Sequence, residues 1–306
     1  METCQSPRKV MVVAWRVGNA CLPAYASRFS RRDFTLPQLF ACLVLRQFYN
    51  LSYRKTEALL RDSPGWRRAI GLKKTPDHNT LCDAFDGVVQ SGHLDKMLDL
   101  LADAFEKAGL LQLDRAPLAI DSSCFESRHV SRHFERRRRD GKSEQAVKSE
   151  RSTTVKKLPK LAIAVAASCH LILAAWTTTG AGADHPHFES VLFDAWRRSP
   201  VVTVVADAGY DSEDAHRLAR DDMSVASIIP ARAGRPTSKP PPTHYRRLMH
   251  DGFADGSLNK EYGQRWQSET VNSMLKRNTG SALRARTPER RECELLLKVV
   301  THNLAL

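Results

Sequence analysis

Apolar positions up to about residue 113 recur with a helical period. Leu36, Leu39, Phe40, Leu43 and Val44 stand three and four residues apart, which is one face of a helix. Ser52 can cap a second helix running through Leu59-Leu60 and stopped by Ser63-Pro64-Gly65. Pro76-Asp77-His78-Asn79-Thr80 breaks the chain and caps a third helix starting near Leu81. A fourth is predicted from about His93 to Ala108, with Leu94, Met97, Leu98, Leu101 and Phe105 on its apolar side and Gly109 after it. Short helices joined by tight turns suit DNA binding, and they equally suit a small bundle that only packs against the rest of the chain.

From about residue 114 the period changes. Pro117-Leu118-Ala119-Ile120 reads as a short strand ending in Asp121, and Leu161–Val165 and His170–Thr178 read as paired strands. A helix is predicted from about His187 to Arg197. The apolar run Val201-Val202-Thr203-Val204-Val205-Ala206 is the clearest strand and ends in Asp207. A helix from about Ser212 to Asp221 and a strand at Val225–Ile229 follow. Paired strands followed by alternating strand and helix give an α/β fold: a mixed sheet covered by helices, preceded by an all-helical region. A Pro-rich connection (Pro236, Pro240, Pro241, Pro242) leads to two last helices, about Asn259–Lys276 and Pro288–Asn303. The expected domains are therefore 1–113, helical and DNA-binding, and 114–306, the α/β unit.

Charge sharpens the picture of the partner. Of 306 residues, 47 are Lys or Arg and 34 are Asp or Glu, a net charge of +13, which points to a polyanion such as nucleic acid. A local +8 is concentrated in Arg128–Lys160, including the run Arg136-Arg137-Arg138-Arg139. This stretch has almost no apolar periodicity and reads as a basic loop or arm at about 128–160 that meets phosphates. The seven cysteines are dispersed without a Cys-x-x-Cys pair, which fits reduced thiols in the cytoplasm and excludes a disulfide frame. The longest nearly apolar stretch, Leu161–Trp176, is too short for a membrane span, and Arg16 cuts the apolar run Val10–Trp15, so no secretory signal is expected.

Two acids stand where strands end, Asp121 and Asp207. Strand ends in α/β sheets open onto ligand crevices, and such carboxylates suit Mg²⁺. Either acid alone reads more readily as a cap or turn residue. In Asp207-Ala208-Gly209-Tyr210-Asp211-Ser212, Gly209 permits a tight turn, and Asp211 or Ser212 caps the next helix. A third acid lies in the spacing Tyr262-x2-Arg265-x3-Glu269-x6-Lys276. At about 100° per residue, with Arg265 at 0°, Lys276, Glu269 and Tyr262 fall near 20°, 40° and 60°. Met274, Val271 and Leu275 form the opposite, apolar side. An Arg265–Glu269 salt bridge on a solvated face explains two of these four polar residues.

Asp121 after one strand, Asp207-x-Gly209-Tyr210 after another, and the complete Tyr-x2-Arg-x3-Glu-x6-Lys helix together resemble the DDE transposases of bacterial insertion sequences. The resemblance covers most of the chain, and the four-residue helix motif is its specific part. It implies a ribonuclease-H-like mixed sheet flanked by helices, two Mg²⁺ ions with Mn²⁺ able to substitute, and cut-and-paste movement of an element. Under it, Asp121, Asp207 and Glu269 are the catalytic, metal-binding triad. Tyr262, Arg265 and Lys276 bind DNA beside the cut, and Arg136, Arg137, Arg138 and Arg139 add phosphate contacts. The partners implied are double-stranded DNA (terminal inverted repeats and target), with a homodimer on DNA, no membrane, and the cytoplasm of a bacterium as location. The alternative is a non-catalytic DNA-binding remnant acting as a repressor; a structure-specific nuclease is a third reading. Ser122-Ser123 stands where relatives usually carry a Thr. The 61 residues between Asp207 and Glu269 leave no room for the large β-rich insertion of some relatives. Cys124, His129 and His133 lack the fourth ligand and the spacing of a zinc site. Asp184-His185-Pro186-His187 reads as a turn and cap, with His185 near the metals as the other possibility. No glycine-rich phosphate loop is present.

Overall fold

Side-chain caps set most helix starts. The computed structural model describes residues 3–89, 91–127, 158–179, 185–231 and 240–306. Within these, two compact units divide the chain out of sequence order: residues 1–101 with 274–306, and residues 102–273. The boundary expected at 113/114 lies twelve residues past the start of the second unit. The last helix is expected at about Pro288–Asn303, but its place in the first unit has no counterpart in the sequence pattern.

In the first unit, helix α1 (Pro7–Cys21) packs on α2 (Leu36–Phe48). α2 opens with a capping box: Thr35 accepts from Gln38 N–H, while the Gln38 side chain accepts from Thr35 N–H. Nearly every residue of α2 is buried, so it is the central helix of the unit and not a surface helix. Ser52 caps α3 (Tyr53–Asp62) and Asp77 caps α5 (His78–Val88), three residues before the predicted start. Pro64 does more than stop α3: as a first-turn proline it opens the short α4 (Pro64–Ala69). α6 runs Ser91–Lys107. The C-terminal α12 (Pro288–Ala305) buries Leu295, Leu297, Val299 and Val300 in contact with α1 and α2.

The second unit is built on a five-stranded sheet: β1 (Leu118–Cys124), β2 (Pro159–Ala166), β3 (Ile172–Thr179), β4 (Thr203–Ala206) and β5 (Ala226–Ile228). Their order is β3-β2-β1-β4-β5, with β2 antiparallel to both neighbours and β1, β4 and β5 parallel. This mixed sheet flanked by helices is the ribonuclease-H-like arrangement expected. β2 is buried along its whole length, as a central strand should be. Helix α7 (Phe188–Arg198) lies against β1, β2 and β3 and buries Val191, Leu192 and Ala195. Elsewhere Ala119, Val205 and Ile228 form a core on which Phe253, Leu258 and Tyr262 pack.

Three expectations are corrected. Asp121 does not end its strand, because β1 continues to Cys124 along its antiparallel partner β2, where Asp121 sits opposite Ile163. The predicted helix Asn259–Lys276 is broken: α10 (Asn259–Tyr262) passes through a 3₁₀ turn, Gly263–Arg265, into α11 (Trp266–Thr279). It is preceded by α9 (His244–Ala254), which the proline cluster had masked in the sequence. The helix after Asp207 is only Glu213–Arg217 (α8) before widening into a π turn, Leu218–Asp222. The run Arg136–Arg139, His129, His133, Asp184 and most of the basic segment lie outside the described residues.

Candidate active site

Two strands bring the first two acids together. The parallel pairing of β1 and β4 matches Ala119 with Val205 and Ile120 with Ala206. The next step in this register is Asp121 beside Asp207, at the point where β4 ends and β1 runs on. Side chains alternate along a strand, so Asp121 shares the face of Ala119, and Asp207, still extended at φ −76° and ψ 170°, shares that of Val205. That face is the one on which Phe253, Leu258 and Tyr262 pack. Asp207 Oδ1 accepts from Gly209 N–H at 2.7 Å, which caps the turn Ala208–Tyr210 and fixes the carboxylate.

The broken helix supplies the rest. The Gly263–Arg265 turn contacts both β1 and β4. Asn272, buried on α11, donates from Nδ2 to Asp121 Oδ2 at 2.9 Å, while its Oδ1 is buried with no partner among the described residues. Arg265 Nη2 donates to Glu269 Oε1 at 2.5 Å, and the Glu269 side chain is 54% exposed. Tyr262 is half-buried, its ring edge-on to Phe253 at 5.0 Å, with the Arg265 guanidinium 5.8 Å from its centroid. It is therefore part of the packing that carries Arg265, and not the free phenol of the helical arc. The 3₁₀ turn accounts for this, because it breaks the uniform 100° step on which that arc was drawn. Lys276 lies further along α11, in the first unit.

The electrostatics follow from this packing. Burial pushes the Asp121 carboxyl above its ordinary value and the Asp207 charge adds to the rise, against the Ser122 and Asn272 hydrogen bonds and the Arg265 charge. Burial likewise raises the Tyr262 phenol, with Arg265 opposing and Asp207 and Glu269 reinforcing. Burial alone would lower Arg265, but its bond to Glu269 and the charges of Tyr262, Glu269 and Asp121 leave it raised.

Oxygen donors only, desolvated, with two like charges side by side: Asp121 and Asp207 fit a hard divalent cation, which would relieve the strain that raises Asp121. Glu269 does not join them in this arrangement. Among the described residues no group of three or more His, Cys, Asp and Glu is close enough to hold a metal ion. The exposed Arg265–Glu269 pair holds Glu269 by less than about 1 kcal/mol, so a change of rotamer is cheap.

Other residues take structural roles. Ser212 caps α8, accepting from Ala215 N–H at 3.0 Å, but Asp211 is no cap: it is fully buried and paired with Arg246 at 2.8 Å. His187 opens α7 without a side-chain capping bond, and the turn His185–His187 packs against Ala208–Tyr210. Tyr210 is buried, 6.1 Å from the Phe188 ring. Asn272 is the site residue that sequence reading missed. Its signal was available, since on the helical wheel with Arg265 at 0° it falls near −20°, beside Lys276 and Glu269.

The profile of the Transposase DDE domain family matches residues 113–304, and that of a second family, Transposase domain (DUF772), matches residues 11–86. The chain belongs to the insertion-sequence DDE transposases. The first match covers more than half of the sequence, and it takes in both α12 of the first unit and the whole sheet of the second. The second match falls inside the first unit. No curated protein sequence matches the chain. A transposase acts on DNA. No helix among the described residues is long and apolar enough to cross a membrane.

Proposed function

We propose that this transposase cuts double-stranded DNA at the ends of its own element and joins the freed 3′-hydroxyls to target DNA, with Asp121, Asp207 and Glu269 as the catalytic acids. The observation that carries this reading is the pairing of Asp121 and Asp207 in neighbouring register, with the helix of Arg265, Glu269 and Asn272 laid against Asp121. Asp121 and Asp207 would hold two divalent ions, Mg²⁺ or Mn²⁺, and Glu269 would complete the set by leaving Arg265. When bound, the ions stabilise the attacking and leaving oxygens of an in-line displacement at phosphorus. In the first step a water oxygen bonds to phosphorus and gives up a proton to solvent, while the strand's 3′-oxygen leaves and takes up a proton to become a 3′-hydroxyl. In the second, that 3′-hydroxyl attacks a target phosphodiester and displaces its 3′-oxygen by the same geometry. Asn272 orients Asp121 throughout. Arg265, released from Glu269, meets a phosphate as a fork, and Lys276 acts as a point charge further along the helix. The basic run Arg136–Arg139 adds phosphate contacts. Two copies, one per element end, act together in the cytoplasm on the bacterial chromosome.

The test is cleavage of duplex DNA carrying an element end in the presence of Mg²⁺, with wild type beside Asp207→Ala. Wild type should cut and then join; the variant should bind and do neither. The Arg265–Glu269 pair favours a second reading, a protein that binds element ends without cutting, and equal inactivity of both proteins with intact binding would establish it.

A further inference from the structure

A cavity of about 170 Å³ lies within the first unit, between the end of α2, the last turns of α11 and α12, and the segment ahead of α1. Its walls include Phe48, Tyr49, Met274, Thr279, Thr301 and His302. Cys4 N–H donates to Ala305 O at 2.6 Å, which straps the segment ahead of α1 over the end of α12 and closes one side. Tyr49, in the opposite part of the wall, is exposed.

One polar atom in this wall is left over. Thr301 is 1% exposed, and its Oγ1 has no hydrogen-bond partner among the described residues. A helical threonine can satisfy its hydroxyl on a carbonyl one turn back, as Thr279 does in the same wall, donating to Leu275 O at 2.6 Å. A hydroxyl left buried and unpaired costs about 1–3 kcal/mol, and a ligand that bonds it recovers that cost. The other walls select the ligand. The Phe48 and Tyr49 rings stand edge to face with centroids 5.4 Å apart, and the Met274 thioether is a soft, adaptable surface for a flat ring. An apolar cavity of about 150 Å³ holds benzene, so this one takes a single ring with a small substituent. None of the lining residues is Lys, Arg, Asp or Glu. A phosphate or carboxylate would therefore lose its hydration with no opposite charge to replace it, which excludes nucleotides and the DNA backbone.

We propose that this cavity binds a neutral small molecule of the phenol class, one aromatic ring bearing a hydroxyl, with the ring against Phe48 and Tyr49 and the hydroxyl bonded to Thr301 Oγ1. A phenolic hydroxyl both donates and accepts, so it pairs with the threonine in either sense. The site shares no residue with the three acids, with Asn272 or with the cations assigned to DNA, and the ligand takes no part in the phosphodiester chemistry. It ties together four segments far apart in sequence, so its occupancy stabilises the folded first unit by mass action.

The test titrates the full chain with phenol, benzene and benzoate and follows binding by the ligands' nuclear magnetic resonance signals. Wild type should bind phenol with a Kd on the order of 1 mM, as suits so small a ligand. Benzene leaves Thr301 unpaired and should bind about tenfold more weakly, and benzoate should bind more weakly still. Thr301→Val keeps the shape and removes the hydroxyl. It should bind phenol no better than benzene, while melting at or above the wild-type temperature because a buried unpaired hydroxyl is gone. Ala305→Leu fills the space and should abolish binding of both. Equal affinity of wild type for phenol and benzene, an undiminished preference for phenol in Thr301→Val, or phenol binding that survives Ala305→Leu would each overturn the site. So would the lack of any binding at about 10 mM, which would leave the cavity to water.

Discussion

At the scale of single residues, the site turns on how one buried carboxylate is held. The Asp121 carboxyl is raised by burial and by its neighbour Asp207, while Asn272 donates a hydrogen bond to its Oδ2. Outer hydrogen bonds to metal-binding carboxylates typically carry ten- to hundredfold in affinity or rate. Asn272→Ala should therefore slow single-turnover cleavage by about that factor and move the Mg²⁺ dependence to higher concentration, with melting only a few degrees lower. Asn272→Asp should be worse, because a third negative charge facing Asp121 drives its carboxyl further toward the protonated form. An equal loss in the two variants, with no shift in Mg²⁺ dependence, would assign Asn272 to packing alone. At this scale the acids were legible because each follows an apolar run or repeats at helical spacing. Asn272 was passed over because an uncharged amide advertises no chemistry until a carboxylate stands opposite it. The place of Tyr262 was misjudged for a different reason: Gly263–Arg265 forms a tighter turn that no periodicity in the sequence marks.

At the scale of elements, two buried polar networks decide how helices are held. In the second unit His216 donates to or accepts from Ser227 Oγ at 2.8 Å, with Asp211, Glu213, Arg220 and Arg246 around it, and Tyr245 stacked nearby. Burial pushes its pKa down to about 4, although Asp211 pulls the other way. The unfolded chain takes up a proton near pH 6.5 and the folded one only near 4. Stability is thus complete above about pH 6.5 and is lost as the pH falls through that window, by roughly 2 kcal/mol near pH 5. Denaturant titrations at neutral pH and near pH 5 should show this fall, and His216→Gln should flatten it. In the first unit α11 ends at Thr279, where Gly280 takes a left-handed φ of 91° and an added Cβ would strike the Asn50 amide. The fully buried Lys298 caps this end, its Nζ donating to the carbonyls of Thr279 at 2.5 Å and Gly280 at 2.8 Å, while Gln47 Nε2 also donates to Thr279 O. Lys298→Met should cost about 2–4 kcal/mol in a denaturant titration, because two buried carbonyls lose a charged donor. The starts of α3 and α5 were legible, since Ser52 and Asp77 cap locally. This C-terminal end was not, because its capping cation comes from 18 residues away.

At the scale of the whole molecule, chain order and structure part company. The apolar period changes near residue 114, and that change is real: strands begin at Leu118. Yet residues 274–306 belong with 1–101, which no local pattern announces. The ties are long-range. Arg290 pairs with Asp86, and Arg284 donates to Asn50 O at 2.7 Å. The buried Glu294 accepts from the N–H groups of Arg284 and Ala285, closing the turn before α12. Leu295, Leu297, Val299 and Val300 are all fully buried. At about 1.5–3 kcal/mol for each such side chain, the loss of all four is of the same size as the whole stability margin of a typical domain. A fragment ending at residue 113 should therefore lack a cooperative thermal transition despite its helical sequence. A chain joining 1–101 directly to 274–306 should regain one, read by the far-ultraviolet signal on heating. If the shorter fragment melts cooperatively alone, the C-terminal helix is an accessory of the first unit and not part of its core.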